Sequence, residues 1–486
     1  MTDATLPLDA PVIVGFGVTG QAVAAALVKR GFVPTVVEDR PKPSTGEQAE
    51  ALGVELIAAP SAVALEQVVL SASALLPSPG VPDHHPAFQL AAEHGVPILS
   101  EFDLAHQWDD RPIVAITGTN GKTTVTMMVT EALVTSGRRA EAVGNTEVPL
   151  VAAIDDPSTE VFVVEASSFR LGHSRRFSPT VAAWLNFAPD HLDAHVSLEA
   201  YEQAKASIWS HLPEGALVVA NADDPVVTGH LDRVDRSRVE VQRFSMTEPV
   251  EWRLEPASAP LAEATLVGPE GPLVAVADLP RRQPHDVANA LAASAIALGG
   301  GATAEGVVAM LRGFIGLPHR LEFLGSADGV AWYNDSKATV PHATVVAVSG
   351  FDSVVLIAGG RNKGLSMAML ASTVPPVRAV VATGDAADEI ATVFGPKVPV
   401  ERATSMDEAV ELARGLAGPG DVVVLSPACT SFDWYANYGE RGRHFVELVK
   451  AKILTGSQSG SRTPKDAGQV ADQADDQTRE QGVLGR

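Results

Sequence analysis

The chain has 486 residues, 46% of them apolar, with 59 acidic against 36 basic side chains and a formal net charge of −23. That length exceeds one ordinary domain and predicts roughly two to four. The acidic balance excludes a duplex nucleic-acid partner, which needs a basic surface, but leaves room for small anionic substrates in locally basic sites.

Cys429 is the only cysteine, so no intrachain disulfide is possible and a reducing compartment is natural. The start, Met1-Thr-Asp-Ala-Thr-Leu-Pro-Leu-Asp-Ala10, lacks the basic region and apolar core of a secretory signal. The most apolar long run, Ala290 to Leu311, is broken by Gly299-Gly-Gly301 and carries Glu305. It predicts a buried helix and turn, not a membrane span. A cytosolic protein without membrane insertion is the expectation.

Val12-Ile-Val-Gly-Phe-Gly-Val-Thr-Gly20 sets G-x-G-x-x-G between a predicted strand and a helix over Gln21–Arg30. A second strand, Thr35-Val-Val37, runs into Glu38-Asp-Arg40, about where a Rossmann unit places its ribose-binding acid. The pattern fits a nucleotide-like ligand, NAD among them, and fits equally a tight βα turn whose glycines serve packing. Ser73–Leu76 predicts a strand ending in the rigid loop Pro77-Ser-Pro-Gly-Val-Pro82, and Val96–Phe102 predicts another reaching the same edge. The first domain is expected to end near Asp110.

Pro112-Ile-Val-Ala-Ile116 predicts a buried strand, and Val125–Leu133 a helix. Between them, Thr117-Gly-Thr-Asn-Gly-Lys-Thr-Thr124 reads as a phosphate-binding loop. Glycines let backbone N–H groups converge on a polyphosphate, and the helix N-terminus adds its positive end. Lys122 would reach the outer phosphates and Thr123 a Mg²⁺. The common Walker form would place a glycine at Ile116; here the nearest upstream glycine is Gly118. Val161-Phe-Val-Val-Glu165 is an apolar strand ending in an acid, the place from which a neighbouring strand holds Mg²⁺. Asn145, Asn289 and the cluster Asp190, His191 and Asp193 lie on predicted strand ends or a helix start. For the two asparagines a turn or capping role is as compatible as ligand contact, whereas His191 between two acids favours a ligand role. Glu199–His211 predicts a helix carrying Lys205.

Residues 239–279 read as short strands, an inserted β segment. After Leu317 a third unit alternates strands and helices, predicting a parallel sheet. Trp332–Thr339, Val354–Gly364, Val377–Thr383 and Asp421–Ser426 supply its strands and polar ends. Cys429 reads as a small buried hydrophobe, since no histidine completes a nucleophile signature. From Ser457 onward the composition predicts disorder.

The Gly-Thr-Asn-Gly-Lys-Thr-Thr loop at Gly118–Thr124, Glu-x-Ser-Ser-Phe at Glu165–Phe169, Asn-x-x-x-Asp-His-x-Asp at Asn186–Asp193, Asn-Asp-Ser-Lys-Ala-Thr at Asn334–Thr339 and Ser-Pro-Ala-Cys at Ser426–Cys429 together resemble the Mur ligase family. The likeness covers nearly the whole chain except the tail, and accounts for the shortened loop spacing. It implies an α/β chain of three domains: Rossmann-like over 1–110, a central P-loop ATPase-like domain with a parallel or mixed sheet over 111–316, and a second Rossmann-like domain over 317–456, followed by the disordered tail 457–486.

The resemblance further implies ATP-dependent amide formation through an acyl-phosphate, joining D-glutamate to UDP-N-acetylmuramoyl-L-alanine in peptidoglycan precursor synthesis. Another Mur or folylpolyglutamate-type ligase, adding a different amino acid, is the neighbouring reading. By the same resemblance Gly17, Thr19, Glu38, Asp39, Arg40 and Ser78 hold the UDP-linked substrate, with Asn145 and Ser167. Gly118, Thr119, Asn120, Gly121, Lys122, Thr123, Thr124, Asn289, Arg320 and Asp335 bind ATP, with Lys337 near its phosphates. Thr123, Glu165, His191 and a carbamylated Lys205 support two Mg²⁺ ions, and Lys122, Glu165, His191, Lys205 and Lys337 carry the catalysis. Thr339, Lys363, Ser431, Phe432 and Tyr438 surround D-glutamate. The chain departs from the family pattern at Arg170 (usually Gln), Asp286 and Val340 (each usually Asn), and Asn145 lacks the second glycine before it. A monomer whose third domain closes over ATP is expected.

Overall fold

A computed structural model describes residues 5–146, 148–190, 194–256 and 260–454. The chain forms two compact units, Met1–Gly316 and Leu317–Arg486. The expectation for residues 457–486 lies outside the described residues.

The first unit holds two parallel sheets and a small antiparallel one. Strands β1 (Pro11–Val14), β2 (Thr35–Glu38), β3 (Glu55–Ala58) and β4 (Ala74–Pro77) pair in the order β3-β2-β1-β4, all parallel. Every residue of β1 is buried, as the Val-Ile-rich run requires of a strand covered on both faces. The strand order reverses between β1 and β4, so the loops after them, Gly15–Gly20 and Pro77–Pro82, meet at the crevice where open α/β sheets bind ligands.

Val96–Phe102 departs from the strand expected there. Only an isolated bridge joins Ile98 to Leu75, and a helix begins at Glu101. Ser100 and Asp103 cap each other's backbone amides reciprocally, and this capping box wins over the apolar alternation.

The central sheet comprises β5 (Ile113–Thr117), β6 (Ala140–Gly144), β7 (Val161–Glu165), β8 (Val181–Trp184), β9 (Leu217–Asn221) and β10 (Glu240–Phe244), ordered β10-β9-β8-β5-β7-β6. All its pairings are parallel. β5 lies between β7 and β8, so the loop after it opens at this sheet's own switch point. The inserted strands β11 (Arg253–Glu255), β12 (Thr265–Gly268) and β13 (Gly271–Ala275) form a separate antiparallel sheet. One apolar core runs from Ile13 and Leu27 through Phe102 to Phe162, Trp184 and Val218. That core is continuous across both parallel sheets. Phe102 stacks on Phe177 at 4.5 Å between centroids, and truncating such a ring to alanine typically costs about 3–5 kcal/mol.

The second unit is a six-stranded sheet of β14 (Glu322–Ala327), β15 (Val330–Asn334), β16 (Val354–Gly359), β17 (Val377–Thr383), β18 (Val400–Ala403) and β19 (Val422–Ala428), ordered β14-β15-β19-β16-β17-β18. Only β14 is antiparallel to its neighbour. Apolar cores cover both faces. Cys429 is buried in one of them, and burial pushes its thiol up to about 12.

Candidate active site

The loop after β5 is shaped by Gly118 (φ 158°) and Gly121 (φ 82°). A side chain on Gly121 would meet Asn289 Oδ1 at 2.6 Å, so the helix Pro284–Gly299 brings Asn289 directly against the loop. Asn186, just past β8, clamps the loop with its side-chain amide. Its Oδ1 accepts from the backbone N–H groups of Thr119 at 3.1 Å and Asn120 at 2.8 Å, and its Nδ2 donates to the Asn120 carbonyl at 3.1 Å. The Thr119 hydroxyl lies 3.2 Å from the Tyr201 phenol. Thr123 and Thr124 follow Lys122 in the first turn of the helix Lys122–Thr135.

Lys122 folds back over this loop, donating to the carbonyls of Gly118 at 2.7 Å and Thr119 at 2.9 Å. Lys205, on the helix Leu198–Ala206, donates to the same Gly118 carbonyl at 2.7 Å. Its side chain is almost wholly buried. Desolvation first, and Lys122 second, hold its amine well below the usual lysine range, against the pull of Asp190 and Glu165. Two lysines on one carbonyl oxygen cannot both be comfortable cations in a dry site.

Glu165 ends β7 and is 3% exposed. Its Oε1 accepts from Asn145 Nδ2 at 3.0 Å, while its Oε2 is buried without a hydrogen-bond partner. Ser167 Oγ, two residues on, is also buried and unpartnered. A bare carboxylate oxygen in the interior costs several kcal/mol unless a cation or donor completes it. Together with the hydroxyl of Thr123, Glu165 offers the hard oxygen chemistry that suits Mg²⁺. No group of three His, Cys, Asp or Glu side chains able to hold a metal exists among the described residues. His191 and Asp193 lie outside the described residues.

At the first crevice, Ser78 Oγ donates to the Gly15 carbonyl at 2.8 Å. A side chain on Gly20 would collide with that carbonyl at 2.2 Å, whereas Gly17 faces no protein atom within 4 Å. Packing therefore explains Gly20, and open approach explains Gly17. Glu38 uses both oxygens on backbone N–H groups, Oε2 on Phe16 at 2.7 Å and Oε1 on Arg40 at 2.9 Å. Asp39 pairs with His85 at 2.8 Å, and the Arg40 side chain is exposed.

Sequence reasoning missed the links between the two crevices. Arg170 is buried and donates to Glu101, Asn145 and Thr19 at 2.9, 3.1 and 3.0 Å. Asp83, His195 and Ser168 form a hydrogen-bonded chain of 2.8 and 2.9 Å beside a cavity of about 390 Å³. Their partners lie far away in sequence, and no local pattern announces them.

In the second unit, Asp335 accepts from the Leu321 backbone N–H at 3.1 Å and from the Ser426 hydroxyl at 2.7 Å. Arg320 sits between two residues with positive φ, His319 (63°) and Leu321 (43°), a conformation costing about 1–3 kcal/mol each that persists where the surroundings enforce it. Lys337 Nζ lies 5.4 Å over the Tyr438 ring, and the Thr339 backbone N–H donates to the Lys337 carbonyl at 2.9 Å. Ser431 is buried, Phe432 is 60% exposed and Lys363 is exposed. Arg441, also missed, joins the two loops. It donates to the Ser336 hydroxyl and carbonyl and to the carbonyls of Cys429 and Thr430 at 2.8–3.1 Å. No helix of the described residues is long and apolar enough to cross a membrane.

Comparison with known proteins places these features in context. Three consecutive stretches match family models: residues 9–100 the "Mur ligase MurD-like, N-terminal domain", 116–297 the "Mur ligase middle domain", and 319–429 the "Mur ligase, glutamate ligase domain". A UDP-N-acetylmuramoylalanine–D-glutamate ligase of Frankia casuarinae is 39% identical over 90% of this chain and 93% of its own. One from Desulfosudis oleivorans is 37% identical over 90% and 95%. Among solved structures, a UDP-N-acetylmuramate-alanine ligase from Thermotoga maritima shares the fold at TM-score 0.53 and 20% identity, over 91% of this chain and 99% of its own. A pseudomurein peptide ligase from Methanothermus fervidus does so at TM-score 0.56 and 17% identity, over 91% and 99%.

Proposed function

Because the chain belongs to the Mur ligase family and has its three-domain α/β architecture, we propose that it joins D-glutamate to the carboxyl group of UDP-N-acetylmuramoyl-L-alanine at the expense of ATP. The relatives that match over about nine-tenths of the chain carry that activity in their names. In the geometry, the observation that carries the reading is the buried, unpartnered Oε2 of Glu165 beside the Lys122 loop. A cation-completed carboxylate next to a polyphosphate loop is what phosphoryl transfer needs.

An amide does not form from a carboxylate at neutral pH without activation. The substrate carboxylate oxygen would attack the γ-phosphorus of ATP, releasing ADP and giving an acyl-phosphate. The D-glutamate amine then adds to the acyl carbon, and the tetrahedral adduct expels phosphate, leaving the amide. Lys122 would leave its loop carbonyls for the phosphate oxygens, and the backbone N–H groups of the loop would orient them. Glu165 and Thr123, with His191, would hold Mg²⁺, which when bound neutralises charge gathering on the phosphate oxygens. Lys205 as a free amine can add CO₂, losing a proton to become a carbamate. The burial that holds the amine uncharged leaves its lone pair free for that addition, and the carbamate would set an anionic oxygen ligand beside Lys122. Asn289, Arg320, Asp335 and Lys337 would serve the nucleotide. Thr339, Lys363, Ser431, Phe432 and Tyr438 would serve the amino acid, and the crevice at Gly17, Thr19 and Ser78 the UDP end. The protein would work in the cytoplasm as a monomer.

A panel of D- and L-amino acids, assayed for ATP- and UDP-N-acetylmuramoyl-L-alanine-dependent phosphate release, tests the reading. D-Glutamate alone should support turnover. Preference for another amino acid would place the chain with a different ligase of the family.

A further inference from the structure

Arg170 occupies the junction of the two crevices with a set of contacts that the proposed reaction does not use. It lies on the short helix Ser168–Leu171 and is 6% exposed. Its Nε donates to Glu101 Oε1, its Nη1 to Asn145 Oδ1 and its Nη2 to Thr19 Oγ1. Glu101, also buried, offsets the charge, and its other oxygen accepts from the Val151 backbone N–H at 2.9 Å.

A guanidinium donates and never accepts. Asn145 must therefore show Arg170 its oxygen, which turns its amide nitrogen to Glu165 Oε1. The inverted amide would set NH₂ against guanidinium and oxygen against carboxylate. Only the observed polarity satisfies both neighbours and leaves Glu165 Oε2 bare. The same logic holds at Thr19. Its oxygen accepts from Arg170, so its own hydroxyl hydrogen is left to donate outward, at the N-terminal turn of the helix Val18–Lys29 next to the open approach at Gly17.

We propose that Arg170 is a positioning residue that fixes Thr19 as a hydrogen-bond donor toward the anionic, diphosphate-bearing substrate, while holding the Asn145 amide with its nitrogen on Glu165. The ligand class rests on the function proposed above; the polarity argument rests on the hydrogen bonds alone. Arg170 acts through its neighbours. Its loss weakens substrate binding even when the buried charge of Glu101 is removed with it.

The test compares wild type, R170M and the double variant R170M/E101Q. The double variant removes both charges while keeping an acceptor for Val151, so it remains measurable if R170M unfolds. KM for UDP-N-acetylmuramoyl-L-alanine should rise at least tenfold in both variants, with KM for ATP within twofold of wild type. The melting temperature should recover in the double variant while the raised KM does not. Recovery of both together would overturn the inference, because Arg170 would then serve only to balance Glu101. So would an equal rise in KM for ATP. If the wild type binds the UDP-sugar in calorimetry yet forms no amide, the ligase reading fails by itself. The same comparison is then made on dissociation constants.

Discussion

Asn186→Ala isolates the clamp on the phosphate loop. The side chain makes three hydrogen bonds to that loop, but Thr119 N–H keeps a second acceptor in the Asn186 backbone carbonyl at 3.1 Å. Two bonds, both to Asn120, are thus lost without replacement. At about 1 kcal/mol net for each, the loop loses about 2 kcal/mol of preorganisation. If ATP binding has to restore that order, KM for ATP rises roughly 30-fold at about 1.4 kcal/mol per tenfold. Steady-state phosphate release over a range of ATP, with the other substrates saturating, measures it. KM for D-glutamate should stay within twofold. An ATP KM within twofold of wild type, in a variant with unchanged melting temperature, would refute the idea that Asn186 preorganises the loop.

Glu165→Gln keeps an acceptor for Asn145 but removes the carboxylate charge at the bare oxygen. The turnover rate should fall on the order of 100- to 1,000-fold, with little change in melting temperature and a higher Mg²⁺ requirement, all read by phosphate release and thermal melting. Arg441→Met strips the donor from three carbonyls and a hydroxyl. With bonds from a charged group worth about 1.5–3 kcal/mol each, the second unit should melt markedly earlier and KM for D-glutamate should rise, as differential scanning calorimetry and kinetics would show. Asp421 is held at about 2, chiefly by its hydrogen bond from Arg378, against 3.8 for a free group. A depressed carboxyl stabilises the fold above its unfolded pKa and loses that contribution as pH falls through the folded value. With the Arg378 partner exposed and screened by solvent, Asp421→Asn should therefore cost about 1 kcal/mol at neutral pH, and the gap in urea unfolding should close between about pH 4 and pH 2.

Much of the architecture was legible because it is local. The strand Ile113–Thr117, the glycine turn and the helix after Lys122 announce themselves by periodicity and turn chemistry, and Glu165 does so by standing at the end of an all-apolar strand. The Ala-rich helix from Pro284 followed from the same signals. Val96–Phe102 was misread as a strand although Ser100-x-x-Asp103, a helix-start signature, stood in the sequence. Arg170 and Arg441 were not legible as organisers. Each is one arginine whose meaning comes from partners such as Thr19, 151 positions away, and Ser336, 105 away. Nor does composition reveal that Lys205 shares a carbonyl with Lys122. Only the packing of the helix Leu198–Ala206 against the loop makes its amine an unfavourable cation.

The central claim is that ATP activates a substrate carboxylate at the Lys122–Glu165 site. Preparing UDP-N-acetylmuramoyl-L-alanine with ¹⁸O in its terminal carboxylate and following the label through one turnover with D-glutamate tests it most directly. The account predicts one ¹⁸O in each phosphate released, and the other retained in the new amide. Unlabelled phosphate, or phosphate released equally well without the amino acid, would contradict it.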